Sequence, residues 1–104
     1  MIIYNVTISI DKDVENHWLD WMKNTHIPDV MQKELFIDCK ISRVLEEAVA
    51  GGHTYAIAYS CKNMHDYEKY HNKFASKLQA EHRNKFAGRF VAYRTLLEVV
   101  HSHE

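Results

Sequence analysis

The histidine best placed for chemistry in this chain is His26. It follows Val14, Trp18 and Met22 at helical spacing, so its imidazole is predicted to point toward the core. We expect the helix to end at His26, because Pro28 lacks the amide that would bond back along the helix. A helix C-terminus favours imidazolium and burial favours the neutral ring, so the two act on the pKa of His26 in opposite directions, and we expect that pKa to be perturbed if the ring lines a cavity. Such a histidine suits proton transfer, and one that only caps free carbonyls would occupy the same place.

A second group of side chains is suited to binding an organic acid. Arg94 lies in the middle of a predicted strand, with Glu98 four residues on along the same face. In a cavity its guanidinium would hold a carboxylate or enolate, whereas at a sheet edge the two would form a surface pair. The tyrosines would hydrogen-bond a ligand or simply pack, and for the tryptophans core packing is the alternative. The predicted site comprises His26 as catalytic residue and Asn5, Trp21, Tyr55, Tyr59 and Arg94 as ligand-binding residues.

The sequence predicts neither a metal nor a cofactor. It contains no phosphate-binding loop, no dinucleotide fingerprint and no nucleophile elbow. Cys39 and Cys61 lack metal-ligand spacing, and the hairpin register proposed below places them on opposite faces, so both are expected to be reduced. His101 and His103 could chelate a metal, but a flexible terminus offers no preorganised geometry for a biological site.

The length and charge of the chain limit the classes of protein to which it can belong. The chain has 104 residues, 46% of them hydrophobic, which suffices for one core and predicts a single domain over residues 1–104. With 13 Lys and Arg against 14 Asp and Glu, the net charge is -1, so binding to nucleic acid or an anionic membrane is not expected. No apolar run reaches the roughly 18 residues of a membrane span, and no signal sequence is recognised. A cytoplasmic protein is predicted.

The elements that must position these residues follow from hydrophobic periodicity. Ile2 to Ile10 alternates as a strand, and a helix then runs to His26. Two strands over 35–47 and 54–61 precede a second helix, capped by Asn63, and Gly88 separates that helix from a last strand over 89–100. The second helix is expected to bury Met64, Tyr67, His71, Phe74, Leu78 and Phe86. The order βαββαβ predicts an α+β, ferredoxin-like fold: a four-stranded antiparallel sheet with two helices on one face.

A tight turn at Gly51 and Gly52 would fix the register of the central hairpin. It predicts Val44 opposite Tyr59 and Ser42 opposite Cys61. One face then carries Phe36, Val44, Tyr55, Ile57 and Tyr59, and the other carries Ile37, Cys39, Ile41 and Leu45 with Ala56 and Ala58. We expect the helices to cover the alanines, so that the exposed tyrosine face drives a homodimer with its sheets face to face. The alternative is that the tyrosines lie against the helices.

Polar residues on the first strand indicate a lumen between the two sheets of such a dimer. Asn5, Thr7 and Ser9 alternate with the apolar residues of that strand. Such a polar row fits a lumen between two sheets better than a dry interface, and a small internal cavity is therefore expected.

The opening Ile2–Thr7 and the segment 18–31, with two tryptophans and then His26-Ile27-Pro28-Asp29, resemble a known family along essentially the whole chain. It is a bacterial family of unknown function, about a hundred residues long, in the dimeric α+β barrel superfamily. The resemblance implies a homodimer with a ligand cavity in each subunit. The wider superfamily includes cofactor-free monooxygenases, haem-degrading enzymes, muconolactone isomerase-like enzymes and stress-response proteins, so the fold does not specify a reaction.

Three functions remain open from the sequence. The favoured prediction is a small cytoplasmic protein that binds a small organic ligand in a cavity of a homodimeric barrel. An alternative is a cofactor-independent isomerase or monooxygenase acting on a small aromatic or keto acid, with His26 as base and Asn5, Tyr59 and Arg94 orienting the acid. The third is haem binding with His26 as axial ligand.

Overall fold

The computed structural model describes residues 1–45 and 52–104. Within these ranges the four strands form one antiparallel sheet of order β2-β3-β1-β4. The strands are β1 (Ile2–Asp11), β2 (Asp38–Arg43), β3 (Gly52–Cys61) and β4 (Phe90–Glu98). This is the predicted ferredoxin-like α+β fold, with both helices against one face of the sheet.

Each helix contains a π-helical turn between two α-helical parts. Helix α1, entered through a 3₁₀ turn at Lys12–Val14, comprises Glu15–Trp21, the π turn Met22–His26 and Ile27–Met31. Helix α2 comprises Met64–Tyr70, the π turn His71–Ala75 and Ser76–Lys85. Single π turns inside α-helices are rare and occur frequently at functional sites.

The core lies between the two helices and one face of the sheet. β1 alternates with period two, so that five of its side chains point to the helices, and its neighbours in register do the same. The buried side chains of the sheet include Ile2, Tyr4, Val6, Ile8, Ile10, Tyr55, Ile57, Tyr59 and Cys61. The opposite face, which no described element covers, carries Asn5, Thr7 and Ser9, as the alternation predicted, beside Thr54, Ala56 and Ala58.

The predicted register of the central hairpin is wrong. β2 pairs with β3 so that Ile41 faces Ile57 and Cys39 faces Tyr59, whereas a turn at the two glycines predicted Val44 opposite Tyr59. The displacement is five residues, an odd number, and an odd slip moves every side chain of β2 to the other face. Gly51 lies outside the described residues, as do the predicted partners at 46 and 48.

This register also corrects three dependent predictions. Tyr55, Ile57 and Tyr59 lie against the helices and not on the uncovered face, as the alternative held. Cys39 and Cys61 point to the same face, not to opposite ones, and both are free thiols. Gly52 is required by packing rather than by a turn, because a Cβ there would come within 2.1 Å of the Ile10 carbonyl oxygen.

Helix α1 does not end at His26, as the proline predicted. It continues to Met31 with Pro28 in the first turn of its last part. The π turn makes this possible: the amide of Ile27 bonds back five residues to the carbonyl of Met22. A proline interrupts a helix because it cannot donate the amide bond to the carbonyl four residues earlier. In the π turn that regular pattern of bonds is already replaced, so Pro28 is tolerated directly after it. His26 therefore sits inside a helix, and the predicted effect of a helix C-terminus on its pKa does not apply.

The second π turn shifts the buried stripe of α2. The prediction of Met64 and His71 as core residues is wrong, because both are exposed. Tyr70, Ala75 and His82 are buried instead. The other predicted signals are confirmed: Asn63 caps the helix by accepting from the amide of Asp66, and Gly88 adopts a φ of 75° after it.

Candidate functional site

A cavity of about 30 Å³ lies between the sheet and the middle of both helices. Its apolar wall comes mainly from β1 and β3, and its polar lining combines one arginine, two histidines, one glutamine and three tyrosines. The lining residues are Tyr4, Val6, Ile8, Met22, His26, Ile57, Tyr59, Tyr70, Gln79, His82, Ala92 and Arg94. Among the described residues, no carboxylate lines this cavity. Such a volume holds about two water molecules.

The π turn of α1 delivers His26 to this cavity. Its ring stacks on Trp21, with ring centroids 5.0 Å apart and planes inclined by 28°. Nδ1 of His26 is buried, and among the described residues it has no hydrogen-bond partner. Burial lowers the pKa of His26 to about 4, with Asp29 acting to raise it and Arg94 to lower it further. The imidazole is thus neutral at pH 7, and its pKa is perturbed, as expected for a ring that lines a cavity, in the direction that burial favours.

A second histidine, which the sequence analysis did not select, lies beside the first. The rings of His82 and His26 meet edge-on at a centroid distance of 5.9 Å. The Nε2 atom of His82 accepts a hydrogen bond of 2.9 Å from the indole nitrogen of Trp18. Burial lowers the pKa of His82 to about 4, and His26 and Arg94 lower it further. Both imidazoles are therefore neutral at physiological pH.

Arg94 supplies the positive charge of the cavity. It lies on the helix-facing side of β4, opposite Val6, with its side chain reaching solvent. Its Nε donates to the hydroxyl of Tyr4 at 3.1 Å, rather than pairing with Glu98. The same hydroxyl accepts a longer bond of 3.5 Å from Gln79. Since the Tyr4 oxygen accepts from both neighbours, its own proton is available to a further acceptor.

Tyr59 lines the cavity from β3. Its ring packs with Tyr4, at a centroid distance of 5.9 Å, and with Phe36 at 5.2 Å. Burial raises its pKa, and the neighbouring Cys39 thiol raises it further, so the phenol stays protonated. Burial likewise raises the pKa of Cys39 to about 12, which leaves that thiol unreactive at neutral pH.

The predicted site residues are thus only partly brought together. His26, Tyr59 and Arg94 line one cavity, and Trp21 supports it by stacking on His26. Asn5 lies on the opposite face of the sheet, where its amide donates to Thr7 at 3.0 Å. Tyr55 lies on the helix-facing side but away from the cavity, and its hydroxyl donates to Glu15.

The Tyr55 contact belongs to a separate cluster around a carboxylate, in which Glu15 and Tyr55 are buried and His53 is exposed. Glu15 accepts from Tyr55 and contacts Nδ1 of His53 at 2.7 Å. Burial alone would raise the pKa of Glu15, but the bonds from Tyr55 and His53 outweigh it and hold that pKa below its usual range. Burial, reinforced by Glu15, raises the pKa of Tyr55 to about 12. Glu15 thus accepts from the Tyr55 hydroxyl and contacts Nδ1 of His53, and these contacts link α1 to β3.

Comparison with known proteins assigns the chain to a family. Residues 1–100 match the family model described as a domain of unknown function, DUF4286, and the chain belongs to that family. No curated protein matches it. The class of protein is therefore a ferredoxin-like α+β domain whose family has no assigned activity.

Solved structures share the fold at low sequence identity. A dimeric ferredoxin-like protein from an uncultured marine organism superposes with a TM-score of 0.73 at 11% identity, covering 98% of this chain and 97% of that one. A candidate antibiotic biosynthesis monooxygenase from Deinococcus radiodurans gives 0.72 at 16% identity, covering 100% and 97%. A variant of MhuD with two manganese protoporphyrin IX molecules bound per active site gives 0.71 at 14% identity, covering 100% and 99%. These likenesses establish the fold.

Two further findings concern the described part of the chain. No helix within it is long and apolar enough to cross a membrane. Nor do its histidine, cysteine, aspartate and glutamate side chains form a group of three or more with the geometry to hold a metal ion.

Proposed function

We propose that the protein binds a small organic acid, a keto acid or an aromatic acid, with the carboxylate in the cavity beside Arg94 and His26. The observation that carries this proposal is that hydrogen-bond donors outnumber negatively charged groups in the lining of the cavity. It offers a guanidinium, phenol hydroxyls and an amide as donors, and no carboxylate answers the charge of Arg94 among the described residues. An anionic acceptor is the group that such a lining favours.

The size of the cavity restricts the ligand. Pockets that enclose drug-sized molecules measure roughly 300–1,000 Å³. A cavity of about 30 Å³ has room for a carboxylate head group and little more. The ligand is therefore a small keto acid such as pyruvate, or an aromatic acid whose ring projects past Arg94 toward solvent.

Titration calorimetry with pyruvate, glyoxylate and benzoate tests the proposal. We expect saturable binding of at least one acid, and a loss of roughly tenfold or more in affinity in Arg94→Gln, because a charge-assisted bond is removed. Arg83→Gln is the matched control, since Arg83 is exposed on α2 and does not line the cavity. If no acid binds, or if the two variants behave alike, the proposal is wrong.

A catalytic version of the same site is favoured by one observation: Nδ1 of His26 is buried and has no hydrogen-bond partner within residues 1–45 and 52–104. A cofactor-independent isomerase would transfer a proton from the carbon next to the ligand carbonyl to this nitrogen. The resulting enolate would be stabilised by Arg94, and the proton would return to another atom of the ligand. Deuterium exchange of the pyruvate methyl group in D₂O measures the first step. Exchange that is absent from His26→Gln supports this version, and exchange no faster than in buffer excludes it.

A monooxygenase would begin with the same proton abstraction. The likeness in fold to the candidate monooxygenase from Deinococcus radiodurans supports the reading that this fold can host such a site. The isomerase is preferred because it requires no second substrate in a cavity of this size.

Haem does not fit the cavity as it stands. MhuD binds porphyrins on the same fold, and His26 would be the axial ligand here. The space needed for a macrocycle is filled by packed rings: Tyr4 lies within about 6 Å, centroid to centroid, of Phe36, Tyr59 and Tyr70. A haem titration followed by absorbance is expected to show no saturable Soret shift.

We further propose that the chain forms a homodimer through the uncovered face of the sheet. This face carries small central residues such as Ala56, and exposed apolar side chains at Val91, Tyr93 and Leu97 on β4. A second copy would bury these side chains between the two sheets. The structure of the same fold that is described as a dimeric ferredoxin-like protein supports the proposal of a dimer.

A further inference from the structure

The indole of Trp18 and the imidazole of His82 form a buried hydrogen bond that joins the two helices. The donor is Nε1 of Trp18 and the acceptor is Nε2 of His82, 2.9 Å away. Trp18 is fully buried and His82 is 6% exposed, so water does not compete for either atom. The bond lies immediately behind the cavity, which His82 lines and Trp18 does not.

This bond fixes the tautomer of His82. An indole N–H donates and never accepts, so the Nε2 atom that receives it must carry a lone pair. In a neutral imidazole the proton then resides on Nδ1. Phe90 meets the ring of His82 edge-on at a centroid distance of 4.4 Å and Phe86 packs on it at 5.6 Å, and these contacts help to hold the ring with Nε2 toward Trp18.

The tautomer decides whether His82 donates a hydrogen bond to a ligand or accepts one from it. With Nε2 occupied by Trp18, the remaining polar atom of His82 is an N–H donor. The opposite tautomer would offer a lone pair and would attract a ligand amine or hydroxyl. His26 contributes a neutral ring beside it, and Arg94 contributes a cation.

We infer that Trp18 is a positioning residue that makes the cavity selective for carboxylates, by holding His82 in the Nδ1–H form so that it donates to the ligand beside Arg94. The inference rests on the proposed binding of an organic acid and adds a further donor, Nδ1–H of His82, to that site. Trp18 touches no ligand and acts through His82. It is distinguished from a packing residue by its effect on the tautomer.

The tautomer is measured directly in the wild-type protein. Two-bond ¹⁵N–¹H correlation spectra of histidine side chains at pH 7 separate a protonated Nδ1 from a protonated Nε2. We expect His82 to show the Nδ1–H pattern. An Nε2–H pattern, or an even mixture, would overturn the inference whatever the ligand.

The variant Trp18→Phe tests the link to binding. It removes the N–H and keeps an aromatic ring, so His82 is expected to redistribute between tautomers and the affinity for pyruvate to fall about tenfold. Tyr55→Phe is the matched control, since it also removes one buried donor next to α1 but lies away from the cavity. Its tautomer of His82 and its pyruvate affinity should equal those of the wild type.

The outcomes separate the two proposals. If Trp18→Phe keeps both the Nδ1–H tautomer and the affinity, Trp18 only packs and the inference is wrong, while acid binding stands. If the wild type binds no acid, the proposed function fails and the inference falls with it. If Trp18→Phe does not fold, the inference is tested by the tautomer of His82 in the wild type together with the pyruvate affinity of His82→Asn. Asparagine keeps a donor near the Nδ1 position and is expected to bind pyruvate better than His82→Leu, and equal affinities would contradict the inference.

Discussion

His26 and Trp21 stack face to face across the π turn of α1, with ring centroids 5.0 Å apart. The stacking holds the imidazole against the cavity while Nδ1 remains without a partner among the described residues. A buried nitrogen of this kind costs stability, and packing alone would favour an apolar ring at this position. A buried nitrogen without a partner among the described residues is expected in a binding site whose ligand is absent.

Replacing His26 by phenylalanine should therefore separate stability from function. His26→Phe removes the unpaired nitrogen, keeps the stack on Trp21 and is expected to raise the free energy of unfolding by about 1 kcal/mol. Acid binding should be lost. Urea denaturation and calorimetry measure the two effects, with His65→Phe, at an exposed histidine of α2, as control. A large loss of stability in His26→Phe would mean that Nδ1 is satisfied in the folded protein.

The pH dependence of stability should report both buried histidines. The pKa values of His26 and His82 lie near 4 in the folded protein, whereas an unperturbed histidine side chain has a pKa of 6.5. Between these values the unfolded chain binds more protons, so the free energy of unfolding falls as pH decreases from about 6.5 toward 4. Each histidine contributes at most about 1.4 kcal/mol per pH unit. Denaturation at several pH values, repeated with His26→Phe, should show a shallower slope in the variant, and an equal slope would contradict the assignment.

The Glu15 cluster predicts a second, separate effect of pH and mutation. Glu15→Gln removes the charge that Tyr55 and His53 bind, and Tyr55→Phe removes one of those donors. We expect either variant to lose about 1–3 kcal/mol of stability. Because the folded pKa of Glu15 is lowered, its contribution is present above pH 4.5 and is lost as pH falls below that value. Pyruvate affinity should be unchanged, and a reduced affinity in Tyr55→Phe would return Tyr55 to the binding site.

How far the sequence predicts this molecule depends on the element. The alternation of β1 and the caps at Asn63 and Gly88 are local signals, and they predict the strand, the helix start and the helix end correctly. The hairpin register depends on loop length between β2 and β3, and two glycines do not determine that length. An error of five residues there reverses the faces of β2.

The π turns explain what the sequence could not reveal about the site. A regular helix of 3.6 residues per turn places His71 in the core and ends α1 before Pro28, and both predictions fail because each helix contains a widened turn. His82 was missed for a different reason: Leu78 and Phe86 were predicted to be buried, and the histidine midway between them was not included in that stripe. A signal was present: Leu78, His82 and Phe86 recur at four-residue steps.

A single charge on the uncovered sheet face should test the proposed homodimer. Tyr93 is 63% exposed in the monomer and lies near the middle of β4. Tyr93→Asp is expected to give a folded monomer in sedimentation velocity, because an aspartate would be buried without a partner in the dimer. Lys77→Asp, on the exposed side of α2, should stay dimeric. A wild-type protein that sediments as a monomer at micromolar concentration would exclude the dimer.

The central claim is that an organic acid binds between Arg94 and His26, and chemical-shift mapping with pyruvate tests it most directly. In ¹⁵N-labelled wild-type protein we predict saturable shifts at the side chains of Arg94, His26 and His82 and at the amides of the π turn Met22–His26. A lysine-rich cleft formed by Lys33, Lys73 and Lys77 provides the internal comparison, because it would attract any anion weakly. Shifts confined to that cleft, or none at all, would contradict the account.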